Sequence, residues 1–144
     1  MANTQGINTN SAFRIAMHSA VWPSSGIKAA LFLASATVGP STATYTTTGE
    51  LTGGSYVAGG IAVNSTTAPA ATGSVTYVTP AASLAFPSLT TPSAIDAVQL
   101  YDTGQSNRSI SVHTFGAQSL TAAPLTLTMP TNDSTNALFR ITWS

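Results

Sequence analysis

The groups in this chain that could move protons or hold a metal ion are His18, His113, Glu50, Asp96, Asp102 and Asp133. A Ser-His-Asp hydrolase needs an exposed nucleophile, a histidine base and an orienting carboxylate. Ser111 stands two residues before His113 in an alternating stretch, which places both side chains on one face of a strand. Any strand makes such neighbours, and no G-x-S-x-G elbow occurs. His18, four residues before Trp22, reads as a packing or surface residue. A glycosidase needs paired carboxylates, and no spacing among the acids singles out a pair. Asp102 and Asp133 lie in turn-forming sequence, where aspartate bonds its own backbone. Calcium ligands could come from Asp102, Gln105 and Asn107, or from Asn132 and Asp133, but neither group is acidic enough to persuade. Asp102 could pair with Arg108 across a turn, and Asp96 with Arg140 inside a sheet; both pairings are structural readings. Tyr45, Tyr56, Tyr77, Tyr101, Trp22 and Trp143 are dispersed, unlike a stacking platform for bases or sugars. Cysteine is absent, which excludes disulfides and thiolate metal sites. The expectation is a chain that is not an enzyme, with no catalytic, cofactor-binding or metal residues.

Composition points the same way. The 144 residues suit one domain with a sizeable core. Charged residues make up 6% of them, against about 25% in an ordinary soluble domain. The basic residues are Arg14, Lys28, Arg108 and Arg140, and the net charge is zero. There is no basic stripe for phosphates and no basic amphipathic face for anionic lipid, so neither nucleic acid nor membrane is an expected partner. Ser, Thr and Ala make up nearly half of the sequence. Hydroxyls must therefore cover the surface, and a neutral surface favours association over repulsion. The opening MANTQGINTN has no charged region and no apolar run, so it is not read as a signal peptide.

The elements follow from turn signals and periodicity. Residues 1–9 read as an extended arm. Phe13, Ala16, Met17, Ala20 and Val21 form one helical stripe, which predicts a short helix near 10–22, ended by Pro23. Ile27 to Ala34 is a strand apolar on both faces except at Lys28. Residues 41–55 are Thr- and Gly-rich, with an edge strand expected near Thr44–Thr48. The pair Gly59-Gly60 suggests a bulge or a close backbone approach. Ala68 to Gly73 reads as a turn. Strands are expected at Ser74–Thr79 (Val75, Tyr77 and Thr79 on one face), Ser83–Phe86 (Leu84 and Phe86 inward), Leu125–Met129 and Leu138–Trp143. Ala94–Tyr101 and Ser109–Phe115 read as a central β-hairpin, with Gly104 supplying a positive φ in the turn and Ile110 and Val112 sharing a face. The fold class is all-β: an antiparallel two-sheet, jelly-roll-like sandwich over 10–144, with one short N-terminal helix and an extended N-terminal arm over 1–9.

Several stretches together resemble a family of small tailed-bacteriophage virion structural proteins: the opening MANTQGINTNSAFRIAMHSAVW, the strand IKAALFLASATVG, the segment TGGSYVAGG at 52–60, the strand ending in Tyr101-Asp102, and the turn VHTFG at Val112–Gly116. The resemblance implies a capsid decoration (cement) protein or a tail-associated component; the alternative reading is a receptor- or carbohydrate-binding module on a tail or fibre, with the turn residues Gln105, Ser106 and Asn107 contacting glycans. The resemblance implies no active site. The partners it implies are the major capsid protein or other virion subunits and further copies of this chain. The location it implies is the virion, at the head surface, after synthesis in the host cytoplasm. Contacts with these partners are expected from Thr4, Gln5, Ile7, Asn8 and Asn10 in the arm, and from Tyr45, Glu50 and Tyr56 in the 41–60 segment.

Overall fold

The computed structural model describes residues 2–7, 26–64 and 67–142. The described chain is all-β and antiparallel. Its strands are β1 (Gly6–Ile7), β2 (Ile27–Leu33), β3 (Ile61–Ala62), β4 (Ala70–Thr72), β5 (Val75–Val78), β6 (Leu84–Leu89), β7 (Ile95–Asp102), β8 (Arg108–Gln118), β9 (Ala123–Leu127) and β10 (Phe139–Thr142). The helix expected near 10–22 lies outside the described residues. Among the described residues, no helix is long and apolar enough to cross a membrane.

Hydrogen bonds sort the strands into a five-stranded sheet, β1-β8-β7-β2-β3, a three-stranded sheet, β10-β5-β4, and a two-stranded sheet, β6-β9. The five-stranded sheet is buried on both faces because β2 and β7 are apolar on both faces. On one face Ile27, Ala29, Leu31, Val98, Leu100 and Ile110 meet Val78 and Phe139 of the three-stranded sheet and Leu84, Phe86 and Leu89 of the two-stranded sheet. On the other face Ala30, Phe32, Ala97, Tyr101 and Val112 meet Ala36, Val38 and Tyr45 from the connection after β2. Fully burying a Leu, Ile or Phe contributes about 1.5–3 kcal/mol, so the double-sided burial of β2 and β7 anchors the fold.

The central hairpin forms as β7 and β8, but two details differ from expectation. Asp102 Oδ1 accepts from Gly104 N at 2.8 Å and caps a 3-10 turn at Thr103–Gln105. The left-handed positions are Ser106 (φ 55°) and Asn107 (φ 57°), not Gly104. A register shift between Leu100 and Tyr101 inserts an extra residue in β8. It separates Ile110 from Val112, which lie in opposite core clusters. Simple alternation cannot foresee a bulge.

Elsewhere, Leu125 and Leu127 point inward, and Leu84 and Phe86 do as well. Strand β6 runs past Phe86 through Pro87 and a left-handed Ser88 to Leu89, with a register shift there. The stretch 68–73, expected as a turn, contains β4; the turn sits one step later, at Gly73 and Ser74. In β5 the side chain taken into the core is Val78, opposite Phe139, while Val75 and Tyr77 are only half-buried. The edge strand expected near Thr44–Thr48 reduces to single bridges, Thr44 to Arg108 and Glu50 to Phe32. Of the expected arm, residues 2–7 lie on the chain's own sheet, where Gly6 and Ile7 pair with Val112 and Ser111.

One buried group conflicts with its surroundings. Gln99, at the centre of β7, is 0% exposed, and neither its Oε1 nor its Nε2 has a hydrogen-bond partner. A buried amide without partners costs about 1–3 kcal/mol. Gln99→Met, close in volume and free of the amide, should therefore raise the unfolding free energy by about that amount, measured by denaturant unfolding. A loss of stability would mean that the amide is satisfied in solution.

Candidate functional site: a buried glutamate among tyrosines

The most concentrated polar chemistry in the described chain lies at the edge of β2 (Ile27–Leu33). This edge is paired in two pieces. Leu33 N donates to Gly49 O and Leu51 N to Leu31 O near one end, while Val63 N donates to Ile27 O near the other. Between them the connecting chain leaves the sheet, and Leu31 N–H faces the gap. The Tyr56 hydroxyl fills it, accepting from Leu31 N at 3.0 Å and donating to Glu50 Oε1 at 2.7 Å. Gly59 N donates to the same oxygen at 2.7 Å, and the Tyr45 hydroxyl donates to Oε2 at 2.5 Å. Tyr101 donates to Gly59 O at 2.7 Å, and its ring stacks on Tyr45 with centroids 4.5 Å apart and planes 14° apart.

Gly60 is what lets this loop close. Its φ is +72°, and a Cβ there would collide with the carbonyl of Ala29. The close approach suggested by the glycine pair is therefore real, and it sits where β3 leaves the tyrosine cluster. Lys28 lines the same region: a Cβ at Gly59 would stand 3.9 Å from its Nζ.

Glu50 is 4% exposed. Its carboxylate faces three donors and little solvent, an arrangement that holds a loop and leaves no room for a substrate. Burial, together with the Glu50 carboxylate, pushes the Tyr45 and Tyr56 phenols well above their usual range, and burial raises Tyr101. These phenols stay protonated as donors, so none is an activated nucleophile or base.

The second candidate is a cleft of about 250 Å³ between β7, β8 and β9, lined by Leu84, Val98, Leu100, Phe115, Leu127 and Met129, with His113 at its wall. Ser111 Oγ and His113 Nε2 are 2.9 Å apart, so the two residues do share a face. Ser111 is 0% exposed, and the His113 ring meets Phe139 edge-on at 5.9 Å. A hydrolase needs a nucleophile that a substrate can reach, and this serine is sealed. Burial lowers the His113 pKa to about 4, which makes the ring a neutral packing and hydrogen-bonding group near pH 7.

The remaining expected residues are dispersed. Thr4 and Gln5 are exposed, Tyr45 is half-buried, and Glu50 and Tyr56 are interior. Ile7 pairs through its backbone with Ser111, and Asn8 and Asn10 lie outside the described residues. Asp96 accepts from Asn3 Nδ2 at 2.6 Å rather than from Arg140, whose guanidinium donates to the carbonyls of Ser134 and Thr135. Asp102 lies opposite Arg108 in register but caps its own turn. Asp133 accepts from the backbone of Thr135 and Asn136 within its own turn, and Asn132 Oδ1 accepts from Thr79 N at the start of the loop after β5, so these two calcium candidates already hold backbone donors. Hydrogen bonds from Asn136 and Thr135 hold the Asp133 carboxyl below its usual range. Among the described residues, no cluster of three or more histidines and acids could hold a metal ion. Sequence reasoning missed Asn3, Gly59 and the reach of Tyr101. A sequence signal existed for Gly59 in its glycine pair, but not for Asn3.

Three outcomes follow from these geometries. Glu50→Ala leaves Gly59 N–H and two phenols without an acceptor and should cost about 2–4 kcal/mol, with Glu50→Gln milder. In the intact protein Tyr45 and Tyr56 should not ionise in an ultraviolet titration until alkaline unfolding exposes them; smooth ionisation near pH 10 in the folded state would contradict the network. For His113 the folded value lies below the unfolded value of about 6.5, so the unfolded chain takes up the proton first. Its contribution is complete above about pH 6.5 and is lost as pH falls toward 4, by about 1–3 kcal/mol. His113→Leu should flatten that slope in urea unfolding between pH 7 and 4.5. An unchanged slope would show that the ring is not sealed.

Comparison of the chain with protein-family models, with curated proteins and with solved structures finds no match.

Proposed function

We propose that this chain is a non-enzymatic structural subunit of a bacteriophage virion, a capsid decoration protein that stabilises the head by contacts with neighbouring capsid subunits. One observation carries the assembly part of this reading. Among the described charged residues, Glu50 and Asp102 are buried, Lys28, Asp96, Arg108 and Asp133 are half-buried, and Arg140 is the exposed one. The outer surface is thus hydroxyl-rich and nearly uncharged. Such a surface offers little repulsion to close neighbours and little attraction to nucleic acid. The virion and its head surface come from the sequence resemblance.

In this reading the three-stranded and two-stranded sheets together form the second layer of a jelly-roll-like sandwich. The 41–60 segment faces the partner with Val57, which is 72% exposed and directly follows the buried Tyr56. The tyrosine–Glu50 network makes that segment rigid before contact, which reduces the entropy lost on docking. Binding only to the assembled shell then stabilises it by mass action.

The test is cosedimentation of the purified chain with phage heads that lack it. Binding should change little with salt, because few charges take part. Val57→Asp should weaken it about tenfold or more, equivalent to about 1.4 kcal/mol, with unchanged thermal stability. Heads that resist heating equally well with and without the chain would contradict the proposal.

A further inference from the structure

Residues 2–7 lie in a groove in which Asn3 through Ile7 make defined contacts. Asn3, 9% exposed, donates through Nδ2 to Leu33 O at 3.1 Å and to Asp96 Oδ1 at 2.6 Å, and its Oδ1 accepts from Val38 N at 3.0 Å. Thr4 N donates to Val38 O at 2.9 Å. Gln5 Oε1 accepts from Thr114 Oγ1 at 3.1 Å and Thr114 N at 3.4 Å. Gly6 and Ile7 extend the sheet against Val112 and Ser111. The outer wall is Gly39-Pro40: a Cβ on Gly6 would collide with the Pro40 ring, and one on Gly39 would stand 3.2 Å from Thr4 Cβ. The groove therefore reads an extended segment with an amide side chain at one position and no side chain three residues later.

Recognition by edge-strand addition and a single amide lock does not depend on which molecule supplies the strand. Only the sequence 8–25 joins this strand to Gly26 and β2. A stretch of that length spans roughly 60 Å fully extended and roughly 35 Å with the helix expected near 10–22 in place, the span needed to reach the groove of an adjacent copy about 40 Å wide. We propose that the groove is a strand-acceptor site that takes residues 2–7 of a second copy of this chain, linking copies by exchange of β1. The contacts made in trans are the same as those made in cis, so the balance is set by protein concentration and by the local concentration the tether provides. The inference rests on the groove alone and holds whatever particle the chain belongs to.

The chain has no cysteine, which makes a clean cross-linking test possible. Thr4→Cys and Gly39→Cys full-length variants, each separately pure, are mixed, co-refolded and oxidised. The Cβ atoms at 4 and 39 would stand 3.2 Å apart, a few tenths of an ångström inside the disulfide range of about 3.5–4.5 Å, so a small outward shift of the arm lets the bond close, and in this mixture a 4–39 bond forms only between copies. A reducible covalent dimer carrying a 4–39 bond by peptide mapping is expected, and adding Asn3→Ala to the Thr4→Cys chain should cut its yield at least fivefold. A mixture that yields no 4–39 dimer, while the double-cysteine chain closes within itself, overturns the proposal. Should Gly39→Cys fail to fold, isotope-filtered NOEs in a co-refolded mixture of labelled and unlabelled wild-type chains decide it. Asn3-to-Val38 contacts between copies support exchange, and contacts confined to one copy overturn it.

Discussion

A carboxylate taken out of water is stable only where donors replace the water it loses. Glu50 meets that condition with Tyr45, Tyr56 and Gly59, and the long connection between β2 and β3 is arranged around it. The strand that should continue along the edge of β2 is broken, and a buried N–H left in the gap would itself be costly. Tyr56 answers both needs at once, accepting from Leu31 and donating to Glu50. This links the long connection after β2 to the middle of the sheet. Through Tyr101 and Gly59 it links that connection to β7 as well. The loop is thereby made part of the core.

The same economy runs through the other polar groups. Asp96 holds Asn3, Asp102 caps its own turn, Asp133 organises the loop before β10, and His113 bonds Ser111. Side chains that elsewhere would build a site here fasten one element to another. Among the described charged residues Glu50 and Asp102 are buried and four more are half-buried, and the exposed surface is largely threonine, serine and alanine. The proposed role as a packed subunit is the use to which such a surface is put.

Much of the fold was legible in the sequence because local patterns decided it. Leu84 and Phe86, or Leu125 and Leu127, alternate cleanly, and the two-faced apolar character of β2 and β7 required cover on both sides. The hairpin between Asp102 and Arg108 was signalled by its turn residues. What escaped was non-local. The bulge that sends Ile110 and Val112 to opposite faces depends on pairing with β7, and the choice of Val78 over Tyr77 depends on Phe139 across the strand. Asn3 looked like part of a free polar arm because its three partners, Leu33, Val38 and Asp96, are distant in sequence. Glu50, an isolated acid in a Thr- and Gly-rich stretch, looked like a surface contact. Only the fold brings Tyr45, Tyr56 and Gly59 to it.

The proposed role of this chain is that of a packed subunit on a particle. A density map of the phage head at a resolution that traces side chains tests it most directly. The β-sheet domain is expected on the outer face of the capsid lattice, bridging neighbouring subunits, with the 41–60 segment and Val57 in the contact. Density for the chain at the tail tip or fibre, or heads from which it is absent, would overturn the proposed role.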